Sequence, residues 1–197
     1  MRDADVDTAL AAYAQGLFPM DDPDEEGPLP FYRADPRAIL DVDAEGLARL
    51  RRRLRRSLAR DPGWTPAVDR AFGSVVAGCA RPREGGIWLT PRLARLYRSL
   101  HAAGAAHSFE LWEGDRLVAG VLGVVLGRAA MLESMFHAVP HAGNVNLMRT
   151  LERLASAGIE LCDIQLASPH TLRLGAREIP IAEFEARLRG ALRPRPN

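Results

Sequence analysis

Residues 106 to 136 read AHSFELWEGDRLVAGVLGVVLGRAAMLESMF, and this run decides the fold. Ala106 to Trp112 is apolar and aromatic-rich, Glu113-Gly114-Asp115 supplies a tight turn, and Leu117 to Leu126 is almost continuously apolar. Gly127-Arg128 then turns the chain back into Ala129 to Phe136. Three strand-length runs joined by short glycine turns predict an antiparallel meander. Downstream, a loop with Pro140 and Gly143 leads into Leu147, Met148, Leu151 and Leu154 at helical spacing, and Gly158 ends that helix. Ile159 to Leu166 is a strand again, and Ile181 to Leu192 is a last helix with Phe184 and Leu188 inward. Strand, strand, strand, helix, strand, helix is an α+β order in which the helix crosses over to a further strand.

Upstream, residues 7 to 16 form a short helix stopped by Gly16, Pro19 to Pro30 is loop, and Pro36 splits Phe31 to Leu40 into two extended pieces. From Glu45 to Ala59, Leu47, Leu50, Leu54 and Leu58 share one helical face and arginines occupy the other. A second helix is expected after Thr65-Pro66, with Pro66 in its first turn, running toward Cys79. Arg81 to Gly86 reads as a linker, and Thr90-Pro91 caps a helix carrying Leu93, Leu96, Tyr97 and Leu100. The division expected is an N-terminal domain, 1–84, with the basic helix, and a catalytic domain, 85–197.

The chain has 197 residues, 47% of them apolar, enough for a sizeable core. No run approaches the roughly 20 apolar residues of a membrane helix, and the acidic start is unlike a secretory signal, so a cytosolic protein is expected. Cys79 and Cys162 lie far apart and read as buried thiols. The five histidines do not cluster, and no Ser or Cys has a nucleophile's context, so neither a metal site nor a triad is expected. A net charge of +1 hides blocks of opposite sign, with acids crowding the first thirty residues and seven arginines lying between 49 and 60. All 26 basic residues are arginine, so no single arginine is informative by its type alone.

Acyl-CoA N-acetyltransferases share the strand and helix order, but their strand-to-helix loop is glycine-rich with a leading basic residue. Here Val139-Pro140-His141-Ala142-Gly143-Asn144 has one glycine and no arginine, which supports a CoA site poorly. More specific strings occur in order along the chain. They are Tyr13-Ala14-Gln15-Gly16-Leu17-Phe18-Pro19, Asp35-Pro36-Arg37-Ala38-Ile39-Leu40, Trp88-Leu89-Thr90, Leu100-His101, Ala106 to Trp112, Glu133-Ser134-Met135-Phe136, Asp163-Ile164-Gln165 and Leu174 to Pro180. Together they resemble the bacterial leucyl/phenylalanyl-tRNA-protein transferases over nearly the whole chain. The resemblance implies an acetyltransferase-like C-terminal domain that uses aminoacyl-tRNA in place of acyl-CoA, without metal or nucleotide cofactor. Leucine, phenylalanine or methionine would pass to a protein beginning with Arg or Lys, marking it for N-degron degradation. The alternatives are an acyl-CoA-dependent N-acetyltransferase and a catalytically silent RNA- or N-degron-binding relative.

An aminoacyl ester is already activated, so the enzyme must hold an amine against a carbonyl, move a proton and stabilise an oxyanion. By resemblance Gln165 holds the attacking amine and Asp163, on the same strand face, orients it or takes its proton. Read blandly, Asp-x-Gln at a strand end caps the next loop. Glu133, among apolar neighbours, must have a partner, either as a structural anchor or in ordering Gln165 or receiving the acceptor's cationic end. Glu110 could serve the same way. By matching position, Val121, Ala130, Met135, Leu147 and Cys162 are candidates for the wall of the acyl pocket, and Trp88 for stacking on the terminal adenine. Arg49, Arg52, Arg53, Arg56 and Arg60 are candidates for the tRNA body. Three departures from the family pattern surround the substrate: Leu132 for glycine, Asn144 for lysine, and Ile181 for a basic residue.

Overall fold

The computed structural model describes residues 4–21, 27–81 and 88–194. The domain boundary expected between 84 and 85 and most of the expected linker lie outside those residues. In chain order the elements are α1 (Ala4–Ala14), β1 (Phe18–Pro19), β2 (Phe31–Tyr32), β3 (Arg37–Leu40), α2 (Ala44–Leu58), β4 (Thr65–Val68), α3 (Phe72–Cys79) and α4 (Pro91–Ala102). They continue with β5 (Ala106–Glu113), β6 (Arg116–Leu126), β7 (Ala129–His137), α5 (Ala142–Ser156), β8 (Leu161–Gln165), α6 (Pro169–Leu174), β9 (Arg177–Ile179) and α7 (Ile181–Leu192).

β1 and β2 make a small antiparallel ribbon, and the other strands form one sheet in the order β4-β5-β6-β7-β8-β3-β9. The expected meander is present as β5-β6-β7, and α5 crosses over to place β8 parallel to β7. Successive strand residues serve opposite faces. Leu122, Val124, Met131 and Leu161 pack with α1, α3, α4 and α7 through Tyr13, Val76, Leu93, Tyr97 and Phe184. Val121, Ala130, Leu132 and Cys162 pack on the other side with α2 and α5 through Leu50, Leu54, Leu147, Met148 and Leu151. Each such leucine contributes about 1.5–3 kcal/mol when fully buried.

Two strands of this sheet come from before residue 85. β3 lies between β8 and β9, so the piece after Pro36 is interior to the sheet. β4 lies at the edge and corrects the helix expected after Thr65-Pro66, which begins only at Phe72. Pro66 lacks an N–H, a defect an edge strand tolerates, and residues 65–68 pair with Trp112 to Phe109 on β5. Glu110 then fixes where α3 begins. Its carboxylate accepts from the backbone N of Ala71, Ser108 Oγ and Trp112 Nε1 at 2.7, 2.8 and 2.9 Å, making it a structural anchor. α6 and β9 add two elements that the apolar periodicity did not display.

Candidate active site

Parallel pairing between β7 and β8 covers only Ala129 to Met131 against Leu161 to Asp163. Beyond those residues the strands part, and the opening carries the site. Each wall is distorted where it matters. Opposite β6, Leu122 pairs with Ser134 and Gly123 with Leu132, so Glu133 is the extra residue of a bulge, and its side chain is re-aimed into the opening. Opposite β3, Ala38 pairs with Gln165 and Ile39 with Asp163, leaving Ile164 over. Gln165 itself has φ +59°, the left-handed region. Asp163 explains that turn: its Oδ1 accepts from the backbone N of Gln165 at 2.9 Å, an Asx turn that satisfies the N–H released at the strand end.

Asp163 is fully buried and held by Arg37, whose Nε and a terminal nitrogen donate to its two oxygens at 2.8 and 2.6 Å. The same guanidinium donates to the carbonyl of Gly16 at 3.0 Å and lies against the rings of Phe18 and Phe184, 4.8 and 4.6 Å from their centres. One arginine therefore ties the end of α1, β1 and α7 to the strand that carries Gln165.

Glu133 faces Gln165, with the nearer amide atom 3.4 Å from its carboxylate. Tyr97 donates to the other carboxylate oxygen at 3.0 Å, and the Tyr13 hydroxyl lies 3.3 Å from that of Tyr97. Burial raises the Glu133 carboxyl from 4.5 to about 7; hydrogen bonds from Tyr13 and Tyr97 oppose the rise, the Asp163 charge adds to it, and Arg37 moderates it. Both phenols are pushed well above 10, first by burial and then by the Glu133 charge, so they remain donors. Turning the Gln165 amide over lets it donate to the carbonyls of Leu132 and Ile164 at 3.2 and 3.0 Å. Its oxygen then faces Glu133, an arrangement that suits a protonated carboxyl. The pair thus accommodates either protonation state of Glu133.

Glu133 and Gln165 sit in the wall of a cavity of about 390 Å³. Leu40, Val121, Leu132, Met135, Leu147 and Ile164 supply its apolar lining, Trp88 flanks it, and α6 closes one side with Ser168, His170 and Thr171. Of the expected wall residues, Val121, Met135 and Leu147 line this space. Ala130 and Cys162 stand opposite each other in the β7–β8 register and are fully buried beneath it, and burial followed by the Asp163 charge keeps the Cys162 thiol protonated. Asp163 likewise supports the wall from behind and is not among the lining residues. Of the three departures, Leu132 lines the cavity. Asn144 turns to α2, donating to Ser57 Oγ at 3.0 Å, and Ile181 packs on the core. The first turn of α5 is covered as well, with Ala142 and Val145 buried beside Leu58 and Trp64.

The model of the leucyl/phenylalanyl-tRNA protein transferases matches residues 43–189, and that of their N-terminal domain matches residues 2–35. The chain belongs to this family. A leucyl/phenylalanyl-tRNA–protein transferase of Anaeromyxobacter sp. (strain K) is 45% identical over 194 residues, covering 96% of this chain and 80% of its own. Counterparts from Rubrobacter xylanophilus and Synechococcus sp. are 43% and 38% identical, with 93% and 95% of their own lengths covered. Among solved structures, the C-terminal domain of a putative lysylphosphatidylglycerol synthetase from Agrobacterium fabrum is similar with a TM-score of 0.48 at 17% identity, covering 89% of this chain and 52% of its own. The chain is accordingly an aminoacyltransferase, with aminoacyl-tRNA as donor and protein as acceptor. No helix among the described residues is long and apolar enough to cross a membrane.

Within this transferase the arginines of α2 separate into two sets. Arg49 pairs with Asp41 and Glu45, Arg51 with Glu152, and Arg53 donates to the carbonyl of Arg173 at 2.8 Å. Arg52, Arg55 and Arg56, and Arg60 just beyond the helix, are exposed, and no acid lies within 4 Å of them among the described residues. Arg37, Tyr13 and Tyr97 had not been singled out from sequence. Arg37 and Tyr13 stood inside family-like strings, and an apolar helical stripe concealed Tyr97. Nothing in their spacing says that they converge behind Glu133 and Asp163.

Proposed function

We propose that this transferase moves leucine or phenylalanine, and methionine as a third donor unbranched at Cβ, from tRNA to proteins beginning with Arg or Lys. The observation that carries the reading is the pairing of Glu133 and Gln165 at the wall of an apolar cavity. The aminoacyl side chain enters between Val121, Met135, Leu147 and Ile164, which offer no hydrogen bond and select by shape. Gln165 holds the acceptor's α-amine against the ester carbonyl. As the N–C bond forms, the amine proton passes to Glu133, whose affinity near neutrality suits a base. As the C–O bond breaks, the ribose oxygen leaves and takes up the proton that Glu133 received, which returns the carboxylate. Asp163 is a positioning residue: it keeps Gln165 in its turn and does not meet the amine.

Trp88 flanks the cavity where the terminal adenine would stack, at about 1–3 kcal/mol. Arg52, Arg55 and Arg56 of α2, with Arg60 just beyond it, are available to tRNA phosphates, while Arg49 and Arg53 are engaged in holding the fold. The reaction belongs to the cytoplasm, where charged tRNA and N-degron proteolysis meet. The basic helix α2 lies within 1–84 and the Glu133–Gln165 pair within 85–197, while β3 and β4 of the first part complete the sheet of the second and Leu40 lines its cavity.

The test supplies Leu-, Phe-, Met- and Val-tRNA with peptides beginning Arg, Lys or Ala, using wild type and Gln165→Ala. Transfer of the three residues unbranched at Cβ to Arg and Lys peptides is expected, with Gln165→Ala slowed about a hundredfold or more. Equal transfer of valine, or a Gln165→Ala variant at wild-type rate, rejects the reading.

A further inference from the structure

Helix α5 has a second stripe besides the leucines that face the core. Asn146, Arg149, Thr150 and Arg153 follow the i, i+3, i+4, i+7 spacing and line a separate cavity of about 380 Å³. Its other wall is the edge of the sheet, Pro66, Ala67 and Val68 of β4 with Phe109 and Glu110 of β5. A polar stripe normally faces water, but here its middle is enclosed. Asn146 is 1% exposed and spends its amide on the carbonyl of Phe109 at 2.9 Å. Thr150 is 2% exposed, and its hydroxyl has no hydrogen-bond partner among the described residues. Buried hydroxyls are almost always hydrogen-bonded, and one left without a partner is costly.

Charge identifies what the cavity lacks. Glu110 is fully engaged by three donors, as described above. Arg149 is only loosely neutralised, 3.6 Å from both Asp61 and Glu152. Arg153 is exposed and has no acid within 4 Å among the described residues. Glu152 also pairs with Arg51 of α2, so Arg149 lies beside the basic helix across one shared acid.

We infer that this cavity seats a phosphodiester of the donor RNA, its oxygens on Arg153, Arg149 and the Thr150 hydroxyl, and its nucleoside on Val68 and Phe109. The inference rests on reading α2 as the tRNA-facing helix and adds a defined seat to that footprint. Leu147, next to Asn146, lines the catalytic cavity, so the two sites lie on different sides of one helix. Occupying the seat would fix the RNA body against the helix that bounds the acyl pocket.

The experiment uses the full chain with two donors, intact Leu-tRNA and a leucyl ester of adenosine that lacks the RNA body. Arg153→Gln should raise KM for Leu-tRNA about tenfold, the effect of losing one charge-assisted hydrogen bond, and reduce the salt slope by about one. Thr150→Val should raise KM a few-fold with its melting temperature unchanged or higher, because the orphan hydroxyl is gone. Neither variant should alter kcat or transfer from the adenosine ester, and Arg153→Lys should restore most of the binding. Unchanged KM for Leu-tRNA, or equal slowing with both donors, overturns the proposal. Arg52→Gln is the separate control: normal binding by it beside a weakened Arg153→Gln would refute the α2 footprint and leave this seat standing.

Discussion

Replacing Asp163 with alanine strands a guanidinium in the core. Arg37 is 1% exposed and Asp163 fully buried, and two short, charge-assisted bonds join them. After the change Arg37 retains the Gly16 carbonyl and two ring faces, none of which carries a full negative charge. Breaking a buried pair from one side costs about 3–5 kcal/mol. At roughly 2–4 °C per kcal/mol for a chain of this size, the melting temperature should fall by about 6–20 °C. The double variant Arg37→Met with Asp163→Val removes both charges and should recover at least half of that loss, since no desolvated ion remains. Activity should not recover with it, because Gln165 has lost the oxygen that accepts its backbone N–H and holds its positive φ. The assay is calorimetry and Leu-tRNA transfer on the two single variants and the double. A double variant no more stable than Asp163→Ala, or one with restored transfer, would refute the assignment of Asp163 to positioning.

Further outcomes follow from the same geometry. Transfer should rise with pH through about 7 as Glu133 loses its proton, whereas Glu133→Gln should keep only the limb set by the acceptor amine, near 8. The folded value of Glu133 lies above 4.5, so its contribution to stability is complete below 4.5 and is lost as pH climbs to about 7; Glu133→Gln should flatten that slope in urea titrations. Arg53→Ala should slow transfer from the adenosine ester as well as from tRNA, because Arg53 holds the end of α6, which walls the pocket; Arg52→Ala should affect tRNA alone. Gly120→Ala would place a methyl 2.6 Å from the Phe136 ring and 2.7 Å from Val75, and should cost about 1–3 kcal/mol in thermal unfolding without changing donor preference.

The meander, the crossover helix and the basic face of α2 were legible in the chain because each is a local pattern of period 2 or 3.6. Gln165, Glu133 and Met135 stand inside the ordered family-like strings, and Val121 and Leu147 were candidates by matching position; all five line the cavity. Pro66 misled because proline suits both a helix start and a strand edge, and only pairing with β5 separates the two. Tertiary structure alone put Asp163 against Arg37 and the backbone N of Gln165. Its distance from Arg37, 126 residues along the chain and 2.6 Å in space, is set by β3 entering the sheet beside β8. Tertiary structure likewise divided the arginines into those that clasp the fold and those left for a ligand, since a charge pattern along one helix does not say which acids other elements bring to it. Sequence determined the meander, the crossover helix and the basic amphipathic helix, because those depend on neighbours along the chain. The desolvation that lifts Glu133 toward neutrality and the contacts that turn Gln165 to face it come from residues remote in sequence, and only packing brings them together.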